Sequence, residues 1–159
     1  MTDTKITPPS GTAYISPIGF HRYASEFATW ARKAHADKGD EFSPVPYYLY
    51  CHSLELVLKA FLLAKGVTQR ELMNRERLGH HLSKILPRAK DLGLEEVVPL
   101  APHWEAEVEK ANGYYADKGF EYFDVATAGR GYPNLPNLDI RNELVRTLLN
   151  NLERVCLDA

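Results

Sequence analysis

Across residues 47–65 the chain is apolar at nearly every position, and between 54 and 64 only Glu55 and Lys59 interrupt the run. Ser43 and Pro44 supply an N-cap and a first-turn residue, and Gly66 supplies a stop. The pattern predicts a helix with no fully polar face, which belongs in the middle of a bundle. His52, Glu55 and Lys59 follow one another at spacings of three and four, so they share one side of that helix. Buried charges are costly unless paired, so this stripe must meet partners, water or a ligand.

The flanking patterns predict further helices. Ser16 and Pro17 start one whose apolar face is Phe20, Tyr23, Ala24, Phe27, Trp30, Ala31 and Ala34, ending near Gly39. Thr68 and Glu71 have capping-box spacing and predict a short helix to about Arg77. Leu78, Leu82, Ile85, Leu86, Ala89 and Leu92 trace another amphipathic run, with Pro87 expected to kink it. Trp104, Val108, Ala111 and Tyr115 mark a helix over about 102–117, and Leu144, Val145, Leu148, Leu149, Leu152, Val155 and Cys156 mark the last, from Leu138. Residues 118–137 read as a long loop rich in glycine, proline and aromatics, with 120–125 expected to pack as an extended segment. Short links between amphipathic helices predict an all-α, antiparallel up-and-down bundle of five or six helices, with that loop before the last. Residues 1–15 read as a flexible tail and 16–159 as one domain.

Composition narrows this picture only a little. At 45% hydrophobic and 25% charged residues the chain is ordinary for a globular protein, and a formal net charge of -2 argues against a general polyanion-binding surface. Charge is unevenly spread. Residues 70–91 hold six Lys/Arg and three acids, while residues 95–124 hold eight acids and two lysines. Such polarity can steer an anionic ligand, but it equally describes two solvated faces. Two cysteines, Cys51 and Cys156, make no disulfide framework and read as core residues. The six histidines show no zinc-like spacing, and neither a metal nor a cofactor is expected. With no signal-peptide pattern and no run of about 20 apolar residues, the expected location is cytoplasmic, with no membrane contact.

The run Leu-Glu-Leu-Val-Leu-Lys-Ala-Phe-Leu-Leu-Ala-Lys-Gly, followed by Leu-Gly-His-His-Leu-Ser-Lys-Ile-Leu, resembles the HEPN superfamily, in particular branches with a Glu-x-x-x-Lys helix and a Gly-His-x-Leu turn. The Gly131-Tyr132-Pro133 loop and the Arg141-Asn142 helix fit the same order and spacing, so the resemblance covers roughly residues 18–155. It implies a HEPN-like bundle, a homodimer with the last helix near the shared face, and a prokaryotic defence or stress-response setting of the toxin-antitoxin kind.

Many members of that superfamily are metal-independent endoribonucleases whose last helix carries Arg-polar-x-x-x-His. A histidine there can move the 2′-hydroxyl proton while the arginine neutralises charge on phosphate. In this chain the matching stretch runs from Arg141 and Asn142 to Arg146, which takes the histidine's place. With a pKa above about 12, Arg146 cannot shuttle protons near neutral pH. The resemblance therefore implies no catalytic residue at that motif. The expected function is a non-catalytic module binding RNA, a nucleotide or a protein partner. An endoribonuclease using another base such as His80, or a purely structural dimerisation or antitoxin-like partner, are the alternatives.

The candidate polar groove is His52, Glu55, Lys59, His80, Arg130, Tyr132, Arg141 and Asn142. Glu55, Lys59 and Arg141 are expected to share it, with Arg141 at its mouth, although a Glu55–Lys59 salt bridge within the core explains those two equally well. His80 reads as a base or ligand, or simply as a helix-start buttress. Tyr122, Arg130 and Tyr132 in the loop are placed to stack on a base, or merely to pin the loop down.

Overall fold

The computed structural model describes residues 15–123 and 125–159, with the side chains of 127 and 128 left aside; the tail expected over 1–15 lies, apart from Ile15, outside the described residues. Among the described residues there are eight helices and no strand: α1 (Pro17–Asp37), α2 (Pro44–Ala64), α3 (Gln69–Met73), α4 (Leu82–Asp91), α5 (Leu94–Val97), α6 (His103–Tyr115), α7 (Val125–Arg130) and α8 (Leu138–Leu157). Five of them are ten residues or longer. None is long and apolar enough to cross a membrane.

α2 occupies the centre, packed against α1, α4, α6 and α8, as its all-round apolar sequence requires. Ser43 caps it by accepting from the Val45 N–H (3.3 Å), with Pro44 in the first turn, and Gly66 ends it at a φ of +86°. α1 returns against α2 through the short link 38–43 in antiparallel fashion. The face α1 buries differs from the expected one. His21, Ala24, Ala28 and Ala31 are buried, whereas Tyr23 and Trp30 are 67% and 56% exposed. Small side chains let the two backbones approach, and the Ser53 hydroxyl donates to the Ala24 carbonyl across the contact (2.6 Å).

The segment between α2 and α6 is more broken than expected. α3 stops at Met73, because the Asn74 carboxamide accepts from the Glu76 and Arg77 N–H groups and turns the chain. α4 starts only at Leu82, since Gly79 adopts a φ of +43°. A Cβ there would also lie 3.0 Å from the Arg75 Cα, so the turn that presents His80 requires glycine. Pro87 sits on the exposed side of α4 without ending it.

The segment before α8 is the long loop expected, but not an extended one. α7 lies within it, and Tyr122 and Phe123 are 64% and 83% exposed. Phe120 alone of those three is buried, stacked on Tyr47 with centroids 5.4 Å apart. The basic and acidic stretches partly cancel, since Lys90 pairs with Glu95 (3.3 Å) and with Glu105; within the basic stretch Arg88 pairs with Glu71 (3.6 Å).

Candidate functional site

Helical geometry puts Glu55 and Lys59 one turn apart on α2, and both are buried, at 2% and 3% exposure. Lys59 Nζ donates to Glu55 Oε1 at 2.6 Å. The other carboxylate oxygen, Oε2, accepts from the Tyr115 hydroxyl at the end of α6 (2.6 Å) and from His80 Nδ1 in the turn before α4 (3.0 Å). A carboxylate can only accept, so His80 carries its proton on Nδ1 and its Nε2 is left free. The Tyr115 oxygen in turn accepts from His52 Nδ1, at 2.9 Å.

The electrostatics follow from this network. Burial opposes ionisation of Glu55, but the Lys59 charge and hydrogen bonds from Lys59, Tyr115 and His80 outweigh it and hold the carboxyl below its ordinary range. Burial, reinforced by the Glu55 charge, pushes the Tyr115 phenol far up, so it remains a donor. His52 is lowered, chiefly by burial, and is a neutral imidazole held edge-on by Phe27 (4.4 Å between centroids) and stacked on Tyr48 (5.7 Å). His80 is the exception to this enclosure, with a side chain 57% exposed. The buried acid thus fixes the orientation of one solvent-facing imidazole. Such an imidazole can hydrogen-bond a phosphate or hydroxyl through Nε2, or accept a proton there. Tyr48 is tilted against Tyr115 (6.1 Å), its phenol raised by burial and then by Glu121, Glu55 and Tyr122, and exposed Tyr122 carries Lys118 over its ring at 5.6 Å.

The other four candidates lie elsewhere. Arg141 is no part of this network and stands at no mouth: it is 1% exposed and donates through Nη2 to the Glu107 carbonyl of α6, while its Nε and Nη1 find no partner among the described residues. It meets the α6 backbone because α8 packs there with Arg141 on its inner face. The groove shared by Glu55, Lys59 and Arg141 is therefore corrected to two separate buried sites. Arg130, at the end of α7, donates from Nε to its own helix, at the Ala126 carbonyl (3.2 Å). Tyr132 packs the loop down, stacked on Phe42 at 4.5 Å and tilted against Tyr114 at 5.7 Å. Asn142 faces a groove between α1 and α8.

Two residues that matter here did not stand out. Tyr115 reads as the last apolar residue of the α6 stripe, yet a buried phenol needs a partner, and that requirement was the available signal. Glu107 falls between Trp104, Val108 and Ala111 on the same inward face. It is 5% exposed, accepting from Lys110 Nζ (2.6 Å) and the Asn137 N–H (2.7 Å). Burial opposes its ionisation too, but these bonds prevail and its carboxyl is lowered. Among the described residues no group of three or more His, Cys, Asp or Glu is arranged to hold a metal ion. No family model, curated protein or solved structure matches the chain.

Proposed function

We propose that this is a non-catalytic HEPN-like helical protein that holds single-stranded RNA against the surface around His80. The observation that carries the reading is the state of the motif on α8. Arg141 is sealed in the core on a backbone carbonyl, and the histidine's place is taken by Arg146, so neither member of the superfamily's catalytic pair is available to a substrate. The Glu55 network, by contrast, keeps one imidazole exposed to solvent, and exposed Tyr122, which acts on the Tyr48 phenol, offers a ring face that suits base stacking. A homodimeric, cytoplasmic protein of prokaryotic defence or stress response, of the toxin-antitoxin kind, is the setting the resemblance supports.

Fluorescence anisotropy with a labelled single-stranded oligoribonucleotide tests this. The protein should bind it and leave it intact in the presence of chelator, and H80A and Y122A should each weaken binding several-fold. No binding at micromolar protein removes the proposal.

A second reading has its own observation. Glu55 Oε2 on His80 Nδ1, with Nε2 outward, is the arrangement a general base needs. If His80 takes the 2′-hydroxyl proton, RNA incubated without metal should yield 2′,3′-cyclic phosphate ends, and H80A should abolish them.

A further inference from the structure

The groove between α1 and α8 shares no residue with the Glu55 network and has a volume of about 450 Å3, within the range of small-ligand sites. Arg32 comes to it from α1 and Arg146 from α8. Neither guanidinium is in an ion pair among the described residues. Arg32 makes a single hydrogen bond, to the Thr29 hydroxyl at 3.1 Å, and Arg146 makes none that the structure records. Two unneutralised guanidiniums converging on one concavity form a fork suited to phosphate, which each can bind through paired N–H groups.

The lining adds a second requirement. Asn142 Oδ1 is sealed from solvent and out of a ligand's reach, but Glu153 stands exposed beside the two guanidiniums. Its carboxylate works against a bare anion while suiting a hydroxyl or amino donor. His21 contributes no free donor through Nε2, whose N–H goes to the Leu149 carbonyl at 2.8 Å. The combination of two cations with one carboxylate selects a ligand that is anionic at one end and carries hydroxyl or amino donors at the other.

We infer that the α1–α8 groove is a binding site for a nucleoside monophosphate, its phosphate between Arg32 and Arg146 and its sugar or base donors on Glu153. This site is independent of the His80 surface and stands or falls without it.

Isothermal titration calorimetry with 5′-AMP, adenosine and inorganic phosphate tests the assignment. AMP should bind more tightly than either fragment. R32A/R146A, both positions being exposed, should fold with an unchanged circular dichroism spectrum and bind AMP about tenfold more weakly or worse. E153A should lower the preference for AMP over inorganic phosphate, and H80A should leave AMP binding unchanged. Failure of AMP to bind, equal affinity for AMP and phosphate, or unaltered binding by R32A/R146A would each overturn the inference. A loss of AMP binding in H80A would move the ligand to the other surface and overturn it equally.

Discussion

Glu55 and Arg141 are buried almost equally, at 2% and 1% exposure, yet the fold treats the two charges in opposite ways. Both oxygens of Glu55 are engaged, by donors from α2, from the turn before α4 and from the end of α6. Among the described residues Arg141 has one hydrogen bond, to a neutral carbonyl, and two nitrogens without partners. The nearest acid, Glu107, already spends its oxygens on Lys110 and the Asn137 N–H. The results in electrostatic terms differ accordingly. At Glu55 the partners overcome the effect of burial, whereas at Arg141 burial prevails over the neighbouring Cys51 and Glu107 and the guanidinium is lowered. Burial alone therefore says little about what a charge contributes; the number of donors and acceptors that reach it decides.

The contrast can be broken most directly at Glu55. E55Q leaves the buried Lys59 ammonium without its counter-charge, and urea unfolding should show a loss of about 3–5 kcal/mol. Adding K59M to E55Q should recover part of that. A loss under about 1 kcal/mol would mean the network is screened by water, and the comparison with Arg141 would collapse.

A smaller effect is expected one bond away. Y115F removes a donor to a charged oxygen and the acceptor for His52 Nδ1, which should cost about 1.5–3 kcal/mol in the same assay. An unchanged midpoint would show that Glu55 does not depend on α6.

Acid should expose the same asymmetry more gradually. His52 is lowered below its ordinary 6.5, so the unfolded chain takes up its proton first and stability begins to fall as pH drops below that value. Glu55 is lowered below 4.5, so its contribution is complete above that value and is lost as pH falls further, through the folded pKa. Unfolding free energy measured from pH 7 to pH 3 should decline in both windows. In E55Q the lower one should flatten, and an identical slope there would assign the acid sensitivity to other carboxylates.

The smallest change is expected at Arg141, and its sign sharpens the argument. R141M keeps much of the volume while removing an under-partnered charge, so stability should stay within about 1 kcal/mol of the parent or rise. A loss comparable to that of E55Q would show that the single bond to Glu107 and the nearby acid sustain the guanidinium after all.

The local elements were legible because their causes are local. Ser43, Pro44 and Gly66 bound α2 and Thr68 caps α3, each by backbone chemistry within a few residues, and α8 begins at Leu138 behind the Asn137 cap. The Glu55–Lys59 pair was legible for the same reason, since one helical turn dictates it. Which apolar face of α1 would pack was not. Periodicity marks aromatic and alanine positions alike, and only the close approach of α2 selects the alanines while leaving Tyr23 and Trp30 in solvent. The partners of Glu55 were hidden further still: His80 and Tyr115 lie 25 and 60 residues along the chain, and nothing local ties either to an acid on α2. Helical phase puts Arg141 on the apolar side of α8, but phase cannot tell a groove mouth from the core, or a carboxylate from a backbone carbonyl on the helix it will meet. Short-range hydrogen bonding determined where the helices begin and end; the packing of α6 and α8 onto α2 decided which buried charge was satisfied and which was not.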